Sequence, residues 1–168
     1  MIIKTPRLNL RPLTAGDATF IVEQLNEPGF IQYIGDKHVR TLDDAREYVT
    51  KIQESYERNG FGLLAVELSS QESQIPQSPI GLCGLVQRES LPGPDLGYAF
   101  LARYTGKGYA FEAAQAVLQQ ANLPRVLAIT SPDNERSVHL LERLGFQFEK
   151  MMSMGEREEA VRLYCLQE

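Results

Sequence analysis

The apolar residues of the chain recur with two periods, one of two residues and one of three to four. Alternation or a short apolar run predicts a strand, and spacing at i, i+3, i+4 and i+7 predicts a helix. The strands predicted in this way span residues 4–13, 61–68, 80–87, 95–101, 125–130, 147–154 and 160–166. Pro6 indicates that the first of them starts at a sheet edge.

Four helical stripes lie between these strands. Two of them follow Thr-x-x-Asp segments at 14–17 and 41–44, which are typical of a capping box with Asp in place of Glu. Pro28-Gly29 and Asn59-Gly60 predict where these two helices end. A third stripe of small and apolar residues begins after Gly108, and a short fourth helix is expected within residues 132–144. Residues 35–40 and 69–79 are polar or rich in Ser, Gln and Pro, and predict loops.

The order of these elements predicts a single mixed α/β (α+β) domain over residues 1–168. Helices would cover one central, mostly antiparallel sheet, and the chain carries no internal repeat. With 43% hydrophobic and 23% charged residues, the composition excludes intrinsic disorder and a fibrous protein.

The charge balance narrows the range of partners. The chain has 17 basic and 22 acidic residues, a net charge of −5 with no basic block, which disfavours nucleic-acid binding. No apolar run approaches the roughly 18 residues of a membrane span, and the N-terminus does not read as a signal peptide, so we expect a cytoplasmic protein. Cys83 and Cys165 stand far apart in apolar runs, which predicts no disulfide. Two isolated histidines predict no metal site.

The turn between the strand at 95–101 and the third helix carries the first candidate chemistry. Gly106 and Gly108 let several backbone N–H groups point to one place, and the following helix N-terminus offers free donors to a phosphate. Arg103 and Lys107 would add full positive charges to the rim. The nucleotide motifs G-x-x-x-x-G-K-[ST] and G-x-G-x-x-G are both absent, and a tight structural turn is the alternative explanation.

Taken together, these segments resemble a known family. Arg103-x-x-Gly106-x-Gly108-Tyr-Ala, after Leu96-Gly-Tyr-Ala-Phe100, is similar to motif A of the GCN5-related N-acetyltransferases (GNAT). Asn134-Glu-Arg-Ser137 and Leu144-Gly-Phe146 resemble the next helix of that family and its end. The N-terminal Thr5-Pro-Arg-Leu-Asn-Leu-Arg11 resembles the branch with the ribosomal-protein alanine N-acetyltransferases.

The resemblance implies the GNAT fold, with six to seven strands splayed in a V, about four flanking helices and acetyl-CoA as the co-substrate. The pantetheine arm would bond to backbone groups of the strand at 95–101, and the pyrophosphate would lie on the amides that follow it. The cofactor-binding residues implied are Phe100, Leu101, Arg103, Thr105, Gly106, Lys107, Gly108, Tyr109, Ala110, Asn134 and Ser137. Phe111 departs from the branch, which often has a small Thr there, and this could reshape the pocket beside it.

Acetyl transfer needs a neutral amine. At pH 7 a lysine amine is neutral in about one molecule in 2,500, and a peptide α-amine in about one in ten. An α-amine therefore asks less of a protein base. The candidate bases are Asp95 and Glu89, each also explained as a surface-facing carboxylate at a strand end, and water relaying the proton is an equal alternative.

Acetyl transfer also needs a proton donor for the departing thiolate. The resemblance implies that Ser137 protonates the coenzyme A sulfur and that Asn134 helps to hold the arm. The structural alternative is that Asn134 caps the helix and Ser137 satisfies a backbone group. Tyr98 is a second hydroxyl on the strand, favoured as a wall of the pocket.

The function expected is transfer of an acetyl group to the α-amine of a protein or peptide, as in the ribosomal-protein alanine type. The alternatives are a small-amine acetyltransferase and a non-catalytic acyl-CoA sensor. The acceptor would enter beside the first two helices and the loop from Tyr33 to His38, where His38 lines the pocket or is simply exposed. The acidic net charge suits a cationic acceptor. A homodimer is common in folds of this kind.

Overall fold

The computed structural model describes residues 2–73, 78–154 and 159–168, and its centre is an eight-stranded mixed sheet. The strands lie in the order β1-β2-β3-β4-β5-β6-β8-β7. Their bounds are β1 Ile3–Lys4, β2 Leu8–Pro12, β3 Leu63–Leu68, β4 Gly81–Val86, β5 Asp95–Phe100, β6 Arg125–Thr130, β7 Gln147–Met152 and β8 Val161–Gln167.

Five α-helices flank the sheet: α1 Ala18–Leu25, α2 Pro28–Tyr33, α3 Leu42–Asn59, α4 Tyr109–Ala121 and α5 Glu135–Arg143. Both predicted capping boxes are present. Thr14 N donates to Asp17 Oδ2 over 2.9 Å, and Asp44 N donates to Thr41 Oγ1 over 3.0 Å. Gly60 ends α3 in the left-handed conformation that glycine adopts at little cost. None of the helices that the structure describes is long and apolar enough to span a bilayer.

The structure adds one strand and one helix to the expected pattern. The segment predicted as one strand at 4–13 folds back on itself around Pro6, so that β1 pairs with β2 as a two-residue edge strand. Pro28, expected only to end a helix, also starts α2, because proline fits the first turn of a helix, where its missing N–H has no partner. The turn expected around Gly155 and residues 74–77 of the predicted loop lie outside the described residues.

One pair of neighbouring strands breaks the antiparallel pattern. β5 and β6 run parallel and are paired at one register position, Asp95 opposite Leu127, where Leu127 N donates to Pro94 O over 2.9 Å. Beyond this point the two strands separate toward their carboxyl ends. The predicted V-shaped opening is therefore present, closed at Asp95 and open beyond it.

The two faces of the sheet carry separate hydrophobic cores. On one face, α4 and α5 cover apolar residues of β2 to β6, and Ala113 and Ala114 of α4 are fully buried. These small side chains let α4 lie close to the sheet, as the sequence predicts. On the other face, α1 to α3 cover a second core that includes Ile21, Ala45 and Leu82.

Candidate active site

The turn between β5 and α4 has the backbone shape that the sequence predicts. Gly106 and Gly108 adopt φ of +79° and +85°, which only glycine adopts without strain. α4 begins immediately afterwards at Tyr109, so the amides of Tyr109 and Ala110 belong to its first turn and have no partner within the helix. A β-carbon at Gly106 would meet nothing within 4 Å. The segment is therefore open to a phosphate group, and its residues fit the pyrophosphate of coenzyme A.

The side chain of Arg7 stabilises this turn, a role that the sequence analysis did not predict. Arg7 Nη1 donates to Lys107 O over 2.9 Å, and Arg7 Nε donates to Glu112 Oε1 over 2.7 Å. Its guanidinium also lies 4.6 Å from the centre of the Tyr109 ring. Thr5 Oγ1 donates to Glu112 Oε2 over 2.5 Å. The N-terminal hairpin thus fixes the start of α4.

Arg103 and Lys107 were expected to add positive charge at the rim of the turn, but Arg103 is paired with another helix. The Arg103 guanidinium binds Glu23 of α1, with Nη1 and Oε2 2.8 Å apart, while the Lys107 side chain is exposed. Thr105 donates its amide to Ala102 O over 3.1 Å and its hydroxyl to the same oxygen. The backbone donors that remain for a phosphate are therefore centred on residues 106–110.

Only alternate residues of β5 present their backbone N–H and C=O groups to the opening between β5 and β6. Leu101 N donates to Ile80 O over 2.9 Å, and Leu101 O accepts from Tyr104 N, so both backbone groups of Leu101 are engaged within the protein. Because backbone groups alternate sides along a strand, those of Tyr98 and Phe100 face the opening toward β6. Of the two residues expected to offer backbone groups to the pantetheine arm, Phe100 faces the opening and Leu101 does not, and Tyr98 faces it as well.

Two hydroxyl groups meet across this opening. Tyr98 of β5 and Ser137 of α5 are hydrogen-bonded, with 2.5 Å between Oη and Oγ. Ser137 is buried, and burial raises the pKa of Tyr98 to about 12. Tyr98 is therefore protonated over the working pH range and can donate to Ser137. The sequence analysis gave a hydrogen bond to a backbone group as the alternative role of the Ser137 hydroxyl. In the structure this hydroxyl is bound to the side chain of Tyr98 instead.

Asn134 caps α5. Its Oδ1 accepts from Ser137 N over 3.2 Å, which is the capping role the sequence gave as the structural alternative. The cap also orients the first turn of α5, which carries Ser137 beside the opening. Phe111 of α4, expected to reshape the pocket, is not part of the cavity lining; it contacts the far end of α5, with the Arg143 guanidinium 4.2 Å from the centre of its ring.

Asp95 differs from the surface-facing carboxylate that was the structural alternative. Its side chain is fully buried, and Arg88 Nε donates to both of its carboxylate oxygens over 3.2 Å. Burial raises the pKa of Asp95, and the nearby guanidinium offsets part of that rise. Glu89, the other candidate base, is exposed. Sequence reasoning could not find the Arg88–Asp95 pair, because their contact depends on the path of the turn between β4 and β5.

Both candidate catalytic residues line one cavity of about 640 Å³. This is the size typical of a small-molecule site. Its walls come from α2 and the loop after it, from α3, from β3 to β6 and from α5. Tyr33 lines it as expected, whereas His38 is outside it with a largely exposed side chain. Among the described residues, no group of three His, Cys, Asp or Glu side chains is arranged to hold a metal ion.

The family is established by comparison with known proteins. A family model described as "Acetyltransferase (GNAT) domain" matches residues 7–147, most of the chain. The chain belongs to this family and is an acetyl-CoA-dependent N-acetyltransferase.

The curated relatives include two Bacillus proteins of similar length. One is the "Uncharacterized protein YkkB" of Bacillus subtilis, 29% identical over 164 residues, which covers 94% of this chain and 91% of the relative. Another is the "Uncharacterized N-acetyltransferase p20" of Bacillus licheniformis, 27% identical over 161 residues, with coverage of 91% and 86%.

Solved structures share the fold over the whole chain. An acetyltransferase from Agrobacterium tumefaciens superposes with a TM-score of 0.80 at 24% identity, covering 100% of this chain and 95% of that one. RimL, a ribosomal α-N-protein acetyltransferase solved in complex with coenzyme A, gives 0.83 at 17% identity, covering 99% and 98%. At these identities the likeness concerns the fold.

Proposed function

We propose that this enzyme acetylates the α-amine of a peptide or amino acid, with Ser137 as the proton donor. The observation that carries the proposal is the Tyr98–Ser137 hydrogen bond across the opening between β5 and β6. A buried hydroxyl in this opening supports the acid role of Ser137, because the family resemblance implies that the pantetheine arm of acetyl-CoA, and with it the sulfur, lies in the same opening. Acetyl-CoA supplies the thioester whose carbonyl carbon accepts the amine.

In this proposal each hydroxyl of the pair has its own task. Tyr98 Oη donates to Ser137 Oγ, so that as the hydroxyl proton of Ser137 passes to the departing sulfur, the Tyr98 proton passes to Ser137 and Tyr98 regains a proton from water. A thiol has a pKa near 8.5, so a weak acid held in place is sufficient. Asn134 acts through the cap of α5, by holding Ser137 in position.

The acidic groups of the cavity favour an α-amine over a lysine side chain. Both lining carboxylates are already bound: Asp95 to Arg88, and Asp36 to Arg40 through a contact of 2.6 Å. Arg40 lowers the pKa of Asp36 to about 2, so Asp36 is a poor base. Burial raises the pKa of Asp95, but both of its oxygens accept from Arg88 and the side chain is fully buried, so water can carry the proton away instead. An acceptor whose amine is neutral in about one molecule in ten at pH 7 suits such a site.

A ribosomal protein N-terminus is a second candidate acceptor within this class. It is supported by the N-terminal motif from Thr5 to Arg11 and by the fold shared with RimL. A small amine outside the amino acids and a binding module without turnover are the rival functions. A cytoplasmic location agrees with this chemistry, since acetyl-CoA is an intracellular metabolite.

The test is a coenzyme A release assay with matched acceptors. Peptides with a free α-amine and no lysine are compared with N-terminally blocked peptides that carry one lysine, between pH 6.5 and 9.5. We expect release with the first set only, with kcat/KM rising as the α-amine deprotonates and levelling near pH 8. Release only with the blocked lysine peptides would contradict the proposal, and acetyl-CoA binding without release from any amine would favour the sensor.

A further inference from the structure

The side chain of Arg88 lies at the cavity with part of its hydrogen-bonding capacity unused. It is about one third exposed, and its Nε is taken by the buried Asp95. In the part of the chain that the structure describes, neither terminal nitrogen of Arg88 forms a hydrogen bond or an ion pair. Four N–H donors of a fixed, planar guanidinium therefore remain for a bound molecule.

Asp95 gives this arginine a defined orientation. Both of its carboxylate oxygens accept from Nε, and the side chain is fully buried. The buried carboxylate of Asp95 holds the guanidinium through Nε. The two terminal nitrogens at the other end of the guanidinium are left for a ligand. The two terminal nitrogens of a guanidinium can each donate a hydrogen bond to one oxygen of a carboxylate, which gives a bidentate pair.

The other charges around the cavity act in the same direction. Lys37 and Lys51 also line it, while its two acidic residues, Asp36 and Asp95, are each bound to an arginine. Among the described residues the lining has three basic and two acidic side chains, with Lys51 also paired with Glu47 over 3.9 Å, so it carries a small excess of positive charge although the whole chain has a net charge of −5. The expectation that the acidic chain suits a cationic acceptor does not extend to the cavity itself.

We propose that Arg88 binds a carboxylate of the acceptor, so that the acceptor is an amine carrying a carboxylate a few bonds away. A free amino acid meets this requirement through its α-carboxylate, and a peptide through an acidic residue next to its N-terminus. The inference rests on the proposed function. It deepens it by selecting acidic acceptors over the lysine- and arginine-rich N-termini of basic proteins.

The test measures binding and turnover on matched pairs. Alanine is compared with alaninamide, and the peptide amide Ala-Asp-Ala-Ala with Ala-Asn-Ala-Ala, by titration in the presence of coenzyme A and by thiol release with acetyl-CoA. Each rate is divided by the fraction of neutral amine, because a neighbouring carboxylate raises the pKa of the amine. We expect the carboxylate member of at least one pair to bind and react roughly 10- to 100-fold better, the range for hydrogen bonds to a charged group. Equal binding within both pairs would overturn the inference.

Variants assign the preference to Arg88. Arg88→Gln is expected to remove it and to leave the KM for acetyl-CoA within about threefold, while Arg88→Lys keeps a charge beside Asp95 and retains part of it. Arg46→Gln is the matched control, an arginine of α3 paired with Asp43 and outside the cavity. Thermal unfolding shows whether each variant folds. A folded Arg88→Gln protein that keeps the full preference would overturn the assignment.

The two proposals fail in different ways. Thiol release that is equal for acids and amides leaves the proposed function standing and removes the role of Arg88. Absence of release from every amine contradicts the proposed function, and the titrations with coenzyme A still decide whether Arg88 selects a carboxylate.

Discussion

Ser137 and Tyr98 form the contact on which the proposed chemistry depends. Tyr98 lies on β5 and Ser137 on α5, which follows β6, so their hydrogen bond crosses the opening between β5 and β6. The sequence points to Ser137 through the resemblance of Asn134-Glu-Arg-Ser137 to the corresponding helix of the family. The sequence does not indicate the partner of Ser137, because Tyr98 stands 39 residues away along the chain and the two hydroxyl groups meet only in the folded structure.

The first prediction concerns Ser137→Ala. Removing the hydroxyl takes away the proton donor and leaves the Tyr98 hydroxyl without its partner. We expect kcat to fall by about 100-fold, the low end for general acid catalysis, because a thiolate is a good leaving group. The KM for acetyl-CoA should change by less than about threefold, as steady-state kinetics will show.

Tyr98→Phe is the companion variant and keeps the ring that packs in the core. It removes one neutral hydrogen bond, for which we expect a smaller loss in kcat, about three- to tenfold. An unchanged kcat in Ser137→Ala would withdraw the acid role from Ser137. A larger loss in Tyr98→Phe than in Ser137→Ala would transfer that role to Tyr98.

At the scale of elements, the polar residues of the N-terminal segment each join two parts of the fold. Thr5 and Arg7 hold Glu112 at the start of α4, and Arg11 holds Asp17 before α1, with contacts of 2.8 and 2.9 Å to its two oxygens. Asp17 is buried and also accepts from Thr14 N. The segment therefore orders the starts of both α4 and α1.

The second prediction uses Asp17→Asn to measure this contribution. Burial alone would raise the pKa of Asp17, but the bonds from Arg11 and Thr14 lower it below the ordinary 3.8. Since the unfolded chain then binds the proton more tightly, Asp17 stabilises the fold above about pH 4, and that stabilisation is lost as the pH falls through the lowered value. We expect the variant to lose about 2 kcal/mol at pH 7.

Urea unfolding at pH 7, 4 and 3 provides the check. The difference between the wild type and Asp17→Asn should shrink as the pH falls. Asp43→Asn is the control, because Asp43 forms an exposed pair with Arg46 and such pairs contribute little. A difference that stays constant down to pH 3 would show that the charge of Asp17 is not what stabilises the segment.

Most elements follow from local patterns, and the differences have physical causes. The strand over Arg125–Thr130 and the ends of α3 agree with the sequence, since hydrophobic period, caps and glycine stops all act locally. α2 was missed because Pro28-Gly29 signals both the end of one helix and the start of another. β1 was merged with β2 because the alternation continues on both sides of Pro6.

At the scale of the whole molecule, the sheet opening is a consequence of its one parallel pair. β5 and β6 meet at Asp95 and Leu127 and then separate, which leaves strand backbone exposed inside an otherwise closed fold. The family resemblance in motif A predicts this opening, whereas composition and periodicity predict only a mostly antiparallel sheet. The net charge says little about the cavity for the same reason of scale: it sums the whole surface, whereas the described cavity lining has three basic and two acidic side chains.

The most direct measurement is a calorimetric titration of acetyl-CoA into the wild type, Gly108→Val and Gly60→Val. Gly108 and Gly60 have nearly equal φ, +85° and +80°, so a β-branched residue strains the backbone similarly at both. At Gly108 its β-carbon would also lie 3.1 Å from Arg7 Nη2, so the Arg7 side chain must shift by a few tenths of an ångström, whereas at Gly60 it meets nothing within 4 Å. Gly108 lies in the turn proposed to bind the pyrophosphate, while Gly60 ends α3 away from that turn. We predict saturable binding to the wild type and Gly60→Val, and affinity roughly 10- to 100-fold weaker in Gly108→Val. Equal affinity in folded Gly108→Val, or no binding to the wild type, would contradict the proposed acetyl-CoA site.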